Sequence, residues 1–179
     1  MADHRPSKVK NLDGYGVPAI DWQRVEDTLR TQVTQAPGTG GPGRHTSWLT
    51  TIGGEGEPHV VPLGTVTVDG SWYFTSGPNT AKSRNLARDP RCVISIATHP
   101  FDLVMRGRAA RITDSETLEA VVAAFNEGGW PARVEGDALM AEYSAPSAGP
   151  PPWYLYRFVP QTVFAYGTAE PYGATRFDL

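Results

Sequence analysis

Short stretches in which apolar and polar residues alternate dominate the chain and predict β-strands. The clearest one covers residues 59–68, where Val60 and Val66 share a face, and the Asp69-Gly70 pair that follows is a two-residue hairpin signal. The predicted strands cover residues 45–52, 59–68, 71–76, 91–97, 101–112, 153–159 and 162–167. Strands that follow one another with few helices between them favour a mainly β fold, an antiparallel barrel of six to seven strands, over an alternating α/β sheet.

Three segments instead predict helices, and in the first and third of them the apolar residues recur every three or four positions. The first covers residues 21–36 and begins at Asp21, a residue type that favours the N-cap. The second is short, begins near Asn79 or Thr80, and ends where an Asp-Pro pair stops it. The third covers residues 114–127. The chain is therefore expected to combine its strands with about three helices.

The remaining segments predict the organisation of a single domain over residues 1–179. Residues 1–20 form a polar N-terminal arm that needs a surface to lie against. The core of the barrel and the short helix occupy residues 45–113, and an irregular segment covers residues 128–152. Residues 153–179 hold the last strands and a C-terminal tail.

Composition narrows the possible functions. A formal net charge of −3 and a pI near 5.8 argue against a nucleic-acid partner, since nucleic-acid-binding surfaces normally carry a basic excess. No apolar run approaches the roughly 18 residues of a membrane span, and the first residues lack a signal-peptide core, so we expect no membrane association and a cytoplasmic location. One cysteine, Cys92, and four scattered histidines exclude an intrachain disulfide and disfavour a metal site.

The strongest local signal for chemistry is TSGPNTAKSR, residues 75–84, where a strand ends and a helix begins. A helix N-terminus offers free amide groups and a partial positive charge, which together favour a bound anion. Hydroxyl groups able to donate to phosphate oxygens occur at Thr75, Ser76, Thr80 and Ser83. Lys82, which is the only lysine beyond the N-terminal tail, adds a full charge. The alternative is an ordinary capped helix with solvated basic side chains.

A catalytic set belonging to the protein itself is not evident. The serines lack a G-x-S-x-G motif, and the carboxylate pairs Glu55/Glu57 and Glu116/Glu119 are typical of solvated surface. Cys92 lies in an apolar strand and is expected to be a buried, inert thiol. With no catalytic residue of its own, an enzyme of this kind relies on a cofactor that the protein binds and orients.

Three stretches resemble the pyridoxamine 5′-phosphate oxidase-like, FMN-binding split-barrel superfamily. They read SWLTTIGGEGEPHVVPLG, WYFTSGPNTAKSRNLARDPRCVISI and DLVMRGRAARITDSETLEAV, and the resemblance covers roughly residues 45–113. Within them K-x-R-N-L-x-x-D-P-R is the specific pattern, and the ending GATRF resembles the tail of actinobacterial members. The chain is most similar to the flavin/deazaflavin oxidoreductase branch of this superfamily.

The resemblance implies a homodimer of six-stranded split barrels with a cofactor in each of two grooves at the interface. It implies that a flavin or deazaflavin ring lies along backbone groups of His59, Val60, Val61 and Pro62. It implies contacts to the cofactor phosphate from Thr75, Ser76, Thr80 and Lys82, and a contact from Arg176 to the cofactor of the opposing subunit.

The chain departs from the oxidase proper at several positions. The oxidase has the pattern R-x-x-x-x-K on the strand where this chain has His59 and Gly64, so both basic residues are absent. Ala81 replaces the arginine that precedes the phosphate-binding lysine, and the C-terminal substrate motif of the oxidase is absent. Pyridoxamine phosphate oxidation is therefore disfavoured. The resemblance implies instead a hydride transfer to a small unsaturated organic substrate.

Two cofactors fit this branch, FMN and coenzyme F-420, and the excess of arginine over lysine, typical of actinobacterial sequences, favours F-420. Its acidic tail needs extra positive charge, for which Arg44, Arg84 and Arg88 are candidates, although solvated surface also explains them. The alternative function is a non-catalytic cofactor carrier or a haem- or tetrapyrrole-binding protein on the same barrel. Aromatic residues that either wall a substrate pocket or pack in the core are Trp130, Trp153 and Tyr154.

Overall fold

The computed structural model of the chain describes residues 5–31 and 46–179. Its helices are α1 (Trp22–Thr31), α2 (Ala81–Arg88) and α3 (Ser115–Glu127), and one 3-10 turn covers Pro146–Ala148. Its strands are β1 (Lys8–Asn11), β2 (Ser47–Ile52), β3 (Pro58–Leu63), β4 (Val66–Val68), β5 (Ser71–Ser76), β6 (Arg91–Ala97), β7 (Phe101–Ile112), β8 (Arg133–Glu135), β9 (Ala138–Met140), β10 (Tyr154–Gly167) and β11 (Ala174–Asp178). Over these residues no helix combines the length and apolar character needed to cross a membrane.

Nine strands form one antiparallel sheet organised around β10. On one edge β10 pairs with β7, and the order continues through β6 and β2 to β3. On its other edge the first half of β10 pairs with β5, which also pairs with β4, and the second half pairs with β11, which also pairs with β1. Because the two halves have different partners, the sheet divides at this edge. The predicted fold class, mainly antiparallel β with three helices, is confirmed, although the sheet does not close into a ring within the described ranges.

A bulge in β10 marks the point of division. The pairing to β7 shifts between Pro160 and Thr162, where proline has no amide hydrogen to donate to the ladder. Across the ladder lies Gly107, and a Cβ atom there would come within 2.1 Å of the Val159 carbonyl oxygen. Glycine at this position therefore allows β7 and β10 to approach each other closely.

Two clusters of buried side chains lie on opposite faces of β5. Trp72 and Phe74 belong to the larger cluster, which the main sheet shares with residues of α1 and α2. Tyr73 points the other way, because side chains alternate along a strand, and joins a second cluster with α3, Trp130 and Trp153. β5 therefore contributes side chains to both clusters, and α2 follows its C-terminal end.

The predicted helix starts are confirmed where the structure describes them. The Thr80 hydroxyl accepts a hydrogen bond from the Ser83 amide at 3.3 Å, and the Asp114 carboxylate accepts one from the Thr117 amide at 2.9 Å. The helix predicted for residues 21–36 is confirmed from Trp22 to Thr31. Residues 32–36 lie outside the described part of the chain, as does the predicted strand start at residue 45.

Several strand boundaries differ from the prediction. Residues 59–68 form two strands, β3 and β4, because the first pairs with β2 and the second with β5. Conversely, the strands predicted for residues 153–159 and 162–167 form one strand, β10, from Tyr154 to Gly167, because the bulge lets its ladder with β7 continue past Pro160. Three short elements were not predicted: β1 in the arm, the β8–β9 hairpin in the segment 128–152, and β11 in the tail. All four residues of β1 are exposed, so pairing with β11 and not an apolar pattern makes it a strand.

Candidate functional site

Three hydroxyl groups form one hydrogen-bonded network where β5 ends and α2 begins. The Ser76 Oγ atom lies 2.7 Å from Thr80 Oγ1 and accepts a hydrogen bond from Ser83 Oγ at 2.8 Å. The Thr80 hydroxyl also donates to the Gly77 carbonyl oxygen at 2.9 Å while it caps α2. The structure therefore brings two of the predicted phosphate-binding residues, Ser76 and Thr80, together at the start of the helix.

Lys82 lies in the first turn of α2, two residues after the cap. Its side chain is half-buried, and burial lowers the pKa of its ammonium group from the usual 10.5. Among the residues that the structure describes, no carboxylate pairs with this ammonium group. Removing a cation from water without a counter-charge is unfavourable. A bound anion at this point would restore the lost interaction.

A buried hydrogen bond attaches α2 to β2. The Asn85 Nδ2 group donates to Thr51 Oγ1 at 3.0 Å, and both residues are buried. Arg88 adds bonds from its Nη2 group to the Ile52 carbonyl oxygen at 2.6 Å and to Asn85 Oδ1 at 3.3 Å. Residues three apart share a helix face, so the face of α2 that carries Asn85 towards β2 also carries Lys82. The sequence analysis missed Asn85, whose role depends on a partner 34 positions away.

The predicted ring-binding strand is β3, the last strand in the sheet order. It pairs with β2, and within the described ranges no strand uses its other edge. His59 and Val61 are half-buried on the inner side, whereas Val60 and Pro62 are exposed on the outer side. The His59 Nδ1 atom is buried and has no hydrogen-bond partner among the described residues. Because His59 lies opposite Thr51 in the β2–β3 ladder, this histidine is next to the Asn85 contact that holds α2.

Thr75 does not join the hydroxyl network. It lies on the opposite face of β5 from Ser76, because neighbouring side chains in a strand alternate, and it is paired with Leu155 of the second cluster. Tyr156 lies close to the network instead: burial raises the pKa of its phenol, and the nearby Ser83 partly offsets that rise. Its ring stacks on Phe74 with centroids 5.3 Å apart. The sequence analysis missed Tyr156 because the ladder between β10 and β5 brings it there.

Arg176 lies on β11, on the face of the sheet away from the larger cluster. Its Nη2 atom is 2.8 Å from Asp178 Oδ1, and its guanidinium group is 5.9 Å from the centre of the Phe164 ring. The hydrogen bond from Arg176 lowers the pKa of Asp178. In the sheet order β10, β7 and β6 separate β11 from β2, to which α2 is attached. Within one chain, the structure does not bring Arg176 to the start of α2.

The same outer side of the sheet carries exposed apolar residues. Trp48, Val60 and Tyr166 are 47%, 53% and 41% exposed. The strand registers place one row of residues across the sheet, in the order Pro62, Trp48, Ser95, Val104, Phe164 and Arg176. We call this set the outer row. It runs from the predicted ring-binding strand to the arginine predicted to reach a second subunit.

Two of the three candidate pocket aromatics are core residues. Trp130 and Trp153 are buried, with ring centres 5.7 Å apart, and their indole groups donate to the carbonyl oxygens of Tyr143 at 2.6 Å and Gly149 at 3.3 Å. Tyr154 is half-buried, and the Arg111 guanidinium lies 3.4 Å from its ring centre. Core packing therefore accounts for both tryptophans.

Other candidates have structural partners or are inert. Burial raises the pKa of the Cys92 thiol to about 12, so the thiolate needed for nucleophilic attack is not formed near neutral pH. Arg84 donates to the Asn79 carbonyl oxygen, Arg88 is bonded to Ile52, and Arg44 lies outside the described residues. Over residues 5–31 and 46–179 no group of three His, Cys, Asp or Glu side chains is placed to hold a metal ion.

Solved structures share this fold at low sequence identity. A conserved hypothetical protein of Mycobacterium tuberculosis aligns with a TM-score of 0.58 and 16% identity over 85% of this chain and 88% of its own. A haem-binding protein of Mycobacterium smegmatis aligns with a TM-score of 0.56 and 18% identity over 83% of this chain and 55% of its own, so this chain spans about half of it. A NimC/NimA family protein of Clostridium acetobutylicum aligns with a TM-score of 0.55 and 16% identity over 88% of this chain and 91% of its own.

These similarities concern the fold, and no curated protein sequence matches the chain. The family model for pyridoxamine 5′-phosphate oxidase, however, matches residues 41–148. That range is more than half of the chain and contains β3, β5 and α2, the elements that form the candidate site. The chain belongs to the pyridoxamine 5′-phosphate oxidase family, whose members are typically dimeric and bind a small-molecule cofactor, commonly FMN.

Proposed function

We propose that this protein is an oxidoreductase that binds a phosphate-bearing flavin or deazaflavin at the start of α2 and reduces a small unsaturated organic substrate by hydride transfer. The observation that carries the proposal is the half-buried Lys82 ammonium group, which has no carboxylate partner in the described part of the chain. Lys82 belongs to the first turn of α2, where helix amides lack intrahelical acceptors, and both features favour an anion.

The donor set at this position fits a phosphate group. The first turn of a helix has amide groups without intrahelical acceptors, and the Thr80 hydroxyl satisfies that of Ser83. The hydroxyls of Ser76 and Ser83 lie in the same network and can turn towards a ligand oxygen. A lysine ammonium then supplies the charge that makes such hydrogen bonds strong.

A path for the rest of the cofactor leads from α2 to β3. The buried, unpartnered Nδ1 atom of His59 and the unpaired edge of β3 both offer hydrogen-bonding groups to a polar ring edge. A bound flavin or deazaflavin supplies the hydride. The chain's own residues bind the phosphate, orient the ring and hold it against the barrel, which agrees with the absence of an acid–base or nucleophile set.

FMN and coenzyme F-420 both fit these requirements, and we favour F-420 because arginine predominates over lysine. On α2, Arg84 and Arg88 are both exposed; Arg88 bonds to Ile52 and Asn85, whereas Arg84 bonds only to the Asn79 carbonyl oxygen within its own helix start and is the candidate to meet an acidic tail. The second candidate function is a haem or tetrapyrrole carrier. It is favoured by the unpartnered Nδ1 atom of His59, because histidine is a common axial ligand of haem iron.

Titration of the apoprotein with FMN, F-420 and haemin tests these functions. We expect Lys82→Ala to weaken binding of FMN and F-420 by about 10- to 150-fold, because a charge-assisted contact contributes about 1.5–3 kcal/mol. Lys8→Ala removes an exposed lysine of β1 and is the matched control, expected to bind like the wild type. Turnover is followed as oxidation of the reduced cofactor by a quinone or an enone.

The outcomes separate the candidates. Unchanged affinity of a folded Lys82→Ala variant would refute the phosphate assignment. Binding of haemin that is lost in His59→Ala but retained in Lys82→Ala, with neither flavin bound, would instead support the carrier. Binding of a reduced flavin without turnover of any acceptor would argue against the enzyme and for a cofactor carrier.

We further propose that two copies associate through the outer row. On this face Trp48 is exposed beside Val60 of the ring-binding strand, and the row ends at Arg176, which within one chain is remote from α2. We expect Trp48→Glu to convert a dimer to a monomer in light-scattering measurements, since it places a charge in an apolar contact. Tyr15→Glu, at a residue that is 97% exposed and outside this face, is the control expected to stay dimeric.

A further inference from the structure

A cavity of about 290 Å³ is lined by residues at the start of β5, whereas the α2 site follows the end of that strand. It occupies the gap where the partners of β10 diverge, since its wall includes Thr67 of β4, Trp72 of β5 and Pro160 and Val163 of β10. Helix α1 covers the gap through Trp22 and further residues of the same helix. The cavity is therefore a product of the divided sheet.

Two buried polar atoms of this cavity have no hydrogen-bond partner among the described residues. They are the indole Nε1 of Trp22 and the hydroxyl Oγ1 of Thr67. Within the described residues only three side-chain atoms are buried without a hydrogen-bond partner, and these are two of them. Buried polar groups in proteins normally have a partner, because an unsatisfied donor is unfavourable. The two buried tryptophans of the second cluster, Trp130 and Trp153, both donate to carbonyl oxygens. Both residues line the cavity, so its wall contains an indole N–H and a hydroxyl whose hydrogen-bonding capacity is unused among the described residues.

The charges of the wall select against an anion. Glu26 and Arg30 face each other at 3.5 Å, and the remaining charged residue of the wall is Asp69, at the turn between β4 and β5. This differs from the α2 site, where an ammonium group lies without a carboxylate. The two sites are also apart: Trp72 and Ser76 are four residues apart on β5, which corresponds to about 13 Å along an extended strand.

We propose that this cavity is a second small-molecule site, which takes an uncharged, planar, two-ring molecule with a hydrogen-bond acceptor. The acceptor receives the Trp22 indole hydrogen, and the rings lie against apolar residues of the wall, namely Leu29, Trp72, Met105 and Val163. The size follows from comparison with an engineered apolar cavity of about 150 Å³ that holds benzene. An apolar wall with a few polar groups that orient the ligand is typical of small-molecule sites.

The test uses the full-length, ¹⁵N-labelled protein with and without excess FMN, so that its outcome does not depend on occupation of the α2 site. Quinoline is the probe, because it is planar, has two rings and carries one acceptor nitrogen; naphthalene has the same shape without the acceptor. Indole signals are assigned with Trp22→Phe and Trp48→Phe variants. We expect quinoline to move the Trp22 indole signal in a saturable way, whereas the exposed Trp48 and the bonded Trp130 signals stay unchanged.

Two variants complete the test. Trp22→Phe should weaken the binding of quinoline at least about fivefold and leave the affinity for naphthalene unchanged, because it removes the donor. The other indole signals of this variant should remain in place, which shows that it is folded. Leu29→Phe fills the cavity from α1 and should weaken both probes. The proposal is overturned if quinoline moves no Trp22 signal, if naphthalene binds the wild type as tightly as quinoline, or if Trp22→Phe retains the wild-type affinity for quinoline.

Discussion

The hydrogen bond between Asn85 and Thr51 holds α2 against β2, and its removal tests whether it positions the Lys82 site. The two residues are 7% and 0% exposed, and the bond from Asn85 Nδ2 to Thr51 Oγ1 is 3.0 Å long. Water cannot replace either partner at that burial. Loss of one partner of such a bond costs about 1–3 kcal/mol, whereas replacing both partners by apolar groups of similar shape is far less costly.

We therefore expect Asn85→Leu and Thr51→Val each to lower the free energy of unfolding by about 1–3 kcal/mol. The double variant should be less destabilised than the sum of the two, with a coupling of about 1 kcal/mol. For a protein of this size each kcal/mol corresponds to about 2–4 °C in Tm. Urea denaturation followed by circular dichroism measures all four proteins, at one protein concentration because the stability of a dimer depends on it.

The cofactor titration adds the functional readout. Asn85→Leu should weaken binding of FMN or F-420, since the helix that carries Lys82 loses its attachment to β2, and the double variant should recover part of the affinity. Strictly additive stabilities, or single variants within about 0.5 kcal/mol of the wild type, would refute the reasoning. Such a result would mean that the Asn85 amide and Thr51 are satisfied by other partners in solution.

Two further predictions concern the sheet and its pH dependence. Gly107→Ala should destabilise the protein by about 3 kcal/mol or more, because the new Cβ atom would meet the Val159 carbonyl oxygen at 2.1 Å. Gly14→Ala is the control, because a Cβ atom there has nothing within 4 Å. Equal melting temperatures for the two variants would contradict the close approach of β7 and β10. Arg91 lowers the pKa of Asp89 from 3.8 to about 2 in the folded protein. The pair therefore stabilises the folded state fully at a pH above 3.8, and this stabilisation is lost as the pH falls from 3.8 towards 2. Asp89→Asn should therefore show a shallower fall of Tm over that pH range, and a slope equal to that of the wild type would argue against the pair.

Features that depend on neighbouring residues could be predicted from the sequence. The caps of α2 and α3 follow from Thr80 and Asp114, because a short polar side chain satisfies an amide only two or three residues away. The mainly antiparallel fold follows from strands in hairpin order, and the Asp69-Gly70 turn between β4 and β5 is present, with a positive φ at both residues. Lys82 at the helix start is likewise a local property.

Features that depend on distant pairing were decided by the tertiary structure. β1 and β11 are strands because each pairs with a neighbour, and β10 runs through Pro160 because the opposite residue is Gly107. The attachment of α2 through Asn85, like the stacking of Tyr156 on Phe74, joins elements far apart in the chain. A hydrophobic pattern specifies which face of an element is buried, but not which element covers it.

The candidate site shows the same division. The sequence determined that a helix start with a lysine and several hydroxyls follows β5, since those groups lie within ten residues of one another. The tertiary structure decided which of them meet: Ser76, Thr80 and Ser83 share a network, whereas the alternation of side chains turns Thr75 to the other face. Only the structure revealed the cavity beneath α1, because it exists where one long strand exchanges one partner for another. Such a gap arises from how strands assemble, and no local pattern of residues encodes it.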